Sequence, residues 1–149
     1  MRNVNDSLRR RTLIRAASML ALVVTRLASS QVAAPVVTSP NKSWFEAALA
    51  MKQLAESSGD QPYGAVLVLN DQLVGEGPSR VIKLGDSTAH AEREAMRDAQ
   101  RRLKRDDLSG TILYSTSRPC RACEAAAAVA GVSRMYFGEG LDDVGVPKR

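Results

Sequence analysis

Apolar residues recur at helical spacing just after Ser43: Trp44, Ala48, Met51 and Ala55 fall on one face, with Phe45 and Leu49 widening the stripe. Ser43-Trp-Phe-Glu46 has the form of a capping box, in which the Ser oxygen accepts from the backbone N–H of Glu46. A helix is therefore expected to start at Ser43 and to stop at Gly59 to Pro62. The period then changes. Tyr63 to Leu69 is a continuous apolar, β-branched run, Asn70-Asp71 is a two-residue turn and Gln72 to Gly77 returns, which predicts a β-hairpin ended by Pro78. After a loop through Gly85, Asp86-Ser-Thr88 offers caps for a second helix reaching about Leu103, on which Arg93, Glu94 and Arg97 read as a solvated face. Asp106 to Gly110 is a turn and Thr111 to Thr116 a strand. Pro119 suits the first position of a helix, and the Ala-rich run to Ala130 is a helix closed by Gly131. Arg134 to Phe137 is another strand, and strand, helix and strand in so few residues imply a right-handed parallel crossover. The class is α/β. Residues 139–149 carry little pattern and read as a short tail.

Residues 1–34 are patterned differently. Leu8-Arg-Arg-Arg-Thr-Leu-Ile-Arg15 is basic and Ala16 to Thr25 is a short apolar run, which together read as a targeting segment. That run falls well short of the roughly 20 residues that span a bilayer, so no stable membrane anchor is expected. Arg10-Arg11 ahead of Thr12-Leu13-Ile14 resembles a twin-arginine export signal, with Leu13 where Phe is usual and cleavage near Ala28-Ser-Ser30 or Val32-Ala-Ala34. Such a signal implies a periplasmic protein exported in the folded state. Arg26 interrupts the apolar run and Pro35 follows one cleavage point, so an organellar transit peptide and a cytoplasmic protein without any address stand as alternatives. Residues 35–42, with Pro35 and Pro40, read as linker and leave 43–138 as the folded domain.

Composition changes this picture in one respect. A formal charge of +5 on 149 residues would ordinarily raise nucleic acid or an anionic membrane as partners. Of 21 basic and 16 acidic residues, however, six Arg and one Asp lie before residue 31, so the rest of the chain balances at 15 of each sign. The folded part has no global electrostatic reason to seek phosphate, although Arg101-Arg-Leu-Lys-Arg105 is a local basic run.

The chemistry rests on scarce residues. The chain holds one His and two Cys, namely His90, Cys120 and Cys123, set in Thr88-Ala-His-Ala-Glu92 and Pro119-Cys-Arg-Ala-Cys123. Three His/Cys ligands leave the fourth tetrahedral position of a Zn²⁺ ion open, the arrangement of a catalytic site, with Glu92 as proton carrier. Each motif alone has a blander reading: a solvated histidine, or a redox Cys pair. Their order, with Glu two after His and Pro just before Cys, favours the metal. On a regular helix His90 and Glu92 would point apart, whereas at a first turn both side chains lean past the helix end.

These motifs resemble the cytidine and deoxycytidylate deaminase superfamily, whose signature is H-x-E followed by P-C-x-x-C. Pro62-Tyr-Gly-Ala-Val-Leu-Val, Gly75-Glu-Gly, Ile112-Leu-Tyr-Ser-Thr-Ser-Arg-Pro-Cys and Arg134-Met-Tyr-Phe-Gly138 extend the match and place it near bacterial tRNA adenosine deaminases and guanine deaminases. The resemblance implies a three-layer α/β/α sandwich with a mixed sheet of four to five strands, ordered second, first, third, fourth, in a homodimer. It implies Zn²⁺ on His90, Cys120 and Cys123, catalysis by Glu92, and substrate contacts from Ser79, Ala91 and Tyr63. Two positions depart from it: Ser79 stands where relatives carry an Asn that holds base or sugar, and Arg118 where the tRNA branch tends to have Glu. These departures put the substrate in question, and the balanced charge, the short C-terminus and the export signal favour a small purine base or nucleoside over tRNA. A tRNA adenosine-34 deaminase and a non-catalytic zinc-bound scaffold are the alternatives.

Overall fold

The computed structural model describes residues 40–149; the expected targeting segment and most of the linker lie outside them. Helix α1 spans Lys42–Ser57, strands β1 and β2 span Gly64–Leu69 and Gln72–Pro78, and a short α2 spans Val81–Leu84. Helix α3 is Ala91–Leu103, β3 is Ile112–Ser115, α4 is Arg121–Ala130, β4 is Arg134–Phe137 and β5 is Asp142–Gly145. The five strands form one mixed sheet in the order β2-β1-β3-β4-β5. Strand β1 runs antiparallel to both β2 and β3, β3 and β4 are parallel, and β5 returns antiparallel to β4. The expected order of the first four strands is the observed one.

The unbroken apolar run of β1 is explained by helices on both faces of the sheet. Ala65 and Leu67 join Leu113 and Met135 on the face covered by Ala91, Ala95 and Ala99 of α3 and Ala127 of α4. Val66 and Val68 join Ile112, Tyr114 and Tyr136 on the opposite face, against Ala48 of α1. Between β1 and β2, Asn70 and Asp71 take φ of 50° and 55°, the left-handed pair that a two-residue hairpin turn requires. Close helix packing demands glycine in β2. A Cβ on Gly75 would lie 2.3 Å from the Ala95 carbonyl oxygen, and one on Gly77 2.1 Å from that of Ala91.

All three expected helix starts shift. Helix α1 is capped by Asn41, whose Oδ1 accepts from Ser43 N at 3.0 Å, so the Ser43–Glu46 capping box is not used. Asn caps as well as Ser and comes two residues earlier. The Asp86 carboxylate is spent on a turn, accepting from Thr88 N at 2.7 Å, so α3 starts only at Ala91, after the extended His90. Pro119 precedes the cap of α4 instead of opening the helix, because Cys120 takes the cap position and its sulfur accepts from Cys123 N at 3.4 Å. The tail contains β5, whose Asp143 pairs with Arg134 of β4. Glu94 is buried and not part of a solvated face, with Arg97 Nη1 at 2.6 Å and Arg80 Nε at 3.9 Å from its carboxylate.

Candidate active site

Two helix N-termini meet at the end of the sheet's middle strands. One is set by the contact of Gly77 with Ala91, which seats the start of α3 on β2. The other follows β3 through a braced turn: Thr116 N donates to Gly64 O at 2.9 Å, and Gly64 N donates to Thr116 Oγ1 at 3.1 Å. His90 is the residue before α3, Cys120 the residue before α4, and Cys123 the third residue of α4. Because His90 is extended (φ −63°, ψ 153°), it leaves the helical register, and the divergence from Glu92 that a regular helix would impose does not arise.

His90 Nδ1 lies 3.7 Å from Cys120 Sγ and 3.5 Å from Cys123 Sγ, and the three ligand atoms are all within 4.8 Å of one another. Bonds of roughly 2.0 Å to nitrogen and 2.3 Å to sulfur at a tetrahedral angle put N and S about 3.5 Å apart. Both N–S separations are close to an edge of such a tetrahedron, and two sulfurs with one imidazole are a donor set for zinc. Glu92 Oε2 is 3.6 Å from Cys123 Sγ, beside this cluster.

Burial shapes the electrostatics here. It pushes the Cys123 thiol up, and the nearby Glu92 carboxylate adds to the shift, so a bound cation would be needed to hold Cys123 as its thiolate. Burial likewise pushes the Glu92 carboxyl above its usual range, partly offset by its own backbone N–H, the Cys123 thiol and His90. An upward shift of this kind brings a carboxyl toward the range in which it can both take and give a proton.

A cavity of about 510 Å³ opens over the cluster, walled by His90, Ala91, Glu92 and Cys120 on one side and by Gln61, Tyr63, Ser117 and Arg118 on the other. Tyr63 and Ala91 line this cavity. Ser79, expected to contact substrate, does not. It is 1% exposed, and its hydroxyl donates to Asp60 Oδ1 at 2.9 Å, so it is turned away from this wall into the β2–α2 junction. Asp60, which carried no sequence signal, collects Ser79 Oγ, Gln61 N and Lys83 N on its two oxygens. Gln61 and Ser117 also went unread; their one signal was closeness to Tyr63 and to Cys120.

Residues 38–139 match the model of the cytidine and deoxycytidylate deaminase zinc-binding region. The chain belongs to this deaminase family. The tRNA-specific adenosine deaminase of Buchnera aphidicola subsp. Schizaphis graminum is 40% identical over 101 residues, 68% of this chain and 67% of that protein. The tRNA-specific adenosine deaminase of Agrobacterium fabrum is 38% identical over 95 residues, 64% of this chain and 62% of the relative, so part of each relative's length has no counterpart here. Among solved structures, one from a study of A-to-I editing by tRNA:A34 deaminases superposes with a TM-score of 0.62 at 37% identity, covering 64% of this chain and 73% of the other. Guanine deaminase from Bacillus subtilis superposes with a TM-score of 0.64 at 28% identity, covering 70% and 73%. Hydrolytic C–N cleavage with zinc is the family's chemistry. Among the described residues, no helix is long and apolar enough to cross a membrane.

Proposed function

We propose that this deaminase domain acts on adenosine in the anticodon of tRNA, with His90, Cys120 and Cys123 holding zinc and Glu92 as the catalytic residue. The observation that carries the chemistry is the placement of Glu92 beside three ligand atoms at tetrahedral spacing, under a cavity large enough for a base. Bound zinc supplies the acidity that lets water act as nucleophile near neutral pH. Glu92 would take the first proton of that water and give it to the ring nitrogen, then take the second from the new hydroxyl and give it to the departing amine. Water and adenosine become inosine and ammonia. Tyr63, 44% exposed on the cavity wall, offers its ring to the base.

The substrate follows the relatives, whose tRNA-specific members reach 40% identity. Balanced charge after Ser30 argues only against a global field, and exposed Lys104, Arg105 and Arg118 are local cations that a net charge does not reveal. A tRNA substrate also favours the cytoplasmic or organellar alternative over export. A small purine stays as the second reading, supported by the exposed Tyr63 ring and the likeness to guanine deaminase. A homodimer is expected from the family resemblance, and the groove between α3 and α4 with its exposed Val129 is a face it could use. The test is product analysis on an A34 anticodon stem-loop beside guanine and adenosine. Inosine in the stem-loop supports the main reading, and ammonia from guanine or adenosine alone replaces it with the second.

A further inference from the structure

We infer that Arg118 is a specificity-determining residue that binds a phosphate of the substrate at the mouth of the cavity, an inference that rests on the nucleotide-deaminase reading of the site. Arg118 is exposed and lines the same cavity as His90 and Glu92. It stands two residues before Cys120, so their Cα atoms are no more than about 7.6 Å apart. Its guanidinium lies over the Phe137 ring, 5.6 Å from the centroid. A guanidinium over an aromatic face is held by the ring's quadrupole without using its N–H donors, the fork that matches phosphate oxygens.

Nothing among the described residues uses that fork. Arg80, Arg97, Arg101, Arg102 and Arg134 each have a carboxylate within 4.0 Å; Arg118, like Arg93, Arg105 and Arg121, has none, and of these four it alone lines the cavity over His90 and Glu92. The one carboxylate in the cavity wall, Glu92, is buried beside Cys123. The cavity therefore has a proton carrier and metal ligands at its floor and a single held, unpaired cation at its rim. A base on the floor carries its sugar toward the rim, which brings the attached phosphate to the cation. The ligand chemistry is a phosphate group, from an RNA backbone or from a nucleoside monophosphate.

The test is binding to the zinc-loaded full chain, measured with a labelled A34 anticodon stem-loop and by competition with adenosine 5′-monophosphate and adenosine. Arg118→Gln is expected to weaken the stem-loop roughly ten- to a hundredfold, the worth of one charge-assisted contact. The slope of log K against log salt should flatten by about 0.7, one single-strand phosphate contact. Adenosine competition should be unchanged, and so should the melting temperature, which a merely structural stack on Phe137 would lower. Arg118→Lys should recover the salt slope but only part of the affinity. A chain that ignores the stem-loop yet binds the monophosphate better than adenosine, with that preference lost in Arg118→Gln, keeps the phosphate site and removes tRNA as substrate. Equal binding of stem-loop and monophosphate by wild type and Arg118→Gln overturns the inference, as does failure of the wild type to bind either, and neither result touches deamination itself.

Discussion

Gly77→Ala tests whether the contact between β2 and α3 sets the metal site. The added Cβ would sit 2.1 Å from Ala91 O and 2.3 Å from Ala95 N, where real contacts essentially never fall under 3.0 Å, so α3 must retreat by roughly 0.9 Å or more. Ala91 lies between His90 and Glu92, which therefore move with it, while Cys120 and Cys123 stay on α4. His90–sulfur separations of 3.5 and 3.7 Å would change by a large part of that shift, beyond the ±0.2 Å that zinc bonds tolerate. Overpacking of this kind costs on the order of 3 kcal/mol, which in a domain of this size lowers Tm by roughly 12–24 °C. Zinc affinity should fall by a factor of about 10 to 100, as for loss of the groups that orient a ligand. Chelator competition measures the affinity and thermal denaturation the stability. Gly140→Ala is the control, since its Cβ would meet nothing nearer than 3.6 Å. A Gly77→Ala protein that keeps wild-type zinc affinity and Tm refutes the reasoning.

Glu92→Gln should keep stoichiometric zinc by elemental analysis while losing a factor of about 10² to 10⁴ in kcat, and loss of the metal would make Glu92 a ligand instead. Cys123→Ser, at a fully buried ligand, should lose zinc under dialysis, and retention would remove Cys123 from the ligand set. Asp60 feels a burial effect that pushes its carboxyl up, but hydrogen bonds from Lys83 N, Gln61 N and Ser79 Oγ outweigh it and hold the carboxyl below its ordinary range. A lowered folded pKa means that Asp60 stabilises the fold above about pH 4 and that this contribution is lost on further acidification. Asp60→Asn should thus be less stable than wild type by denaturant titration at pH 7, with the gap closing below pH 4; a pH-independent gap contradicts this.

The hairpin was readable because it depends on local pattern: Asn70-Asp71 can take left-handed φ, and the run from Gly64 to Leu69 is apolar at every position, as burial on two faces requires; the strand order came from the family resemblance. The metal cluster was readable for another reason. With one His and two Cys there was no choice of ligands, only the question whether they meet. Helix starts were not readable, since Asn41 competes with Ser43, and Asp86 closes its own turn, on energies that differ by tenths of a kcal/mol among good caps. Strand β5 begins Asp142-Asp143 and has no apolar alternation; an ion pair to Arg134 and pairing with β4 hold it instead. Ser79 was expected to face substrate on the strength of its place in the family pattern. Its partner Asp60 lies 19 residues earlier, and a single sequence gives no sign of that bond.

Glu92 beside a zinc-ready triad is the central claim, and inosine formation tests it most directly. The zinc-loaded chain is incubated with an A34 anticodon stem-loop, guanine and adenosine, with Glu92→Gln in parallel. The account predicts hydrolytic product and one ammonia per product from the wild type, and none above about one hundredth of that rate from a Glu92→Gln protein that still holds zinc. A wild-type protein with a full complement of zinc that releases no ammonia from any of the three contradicts it and leaves the fold as a zinc-bound scaffold.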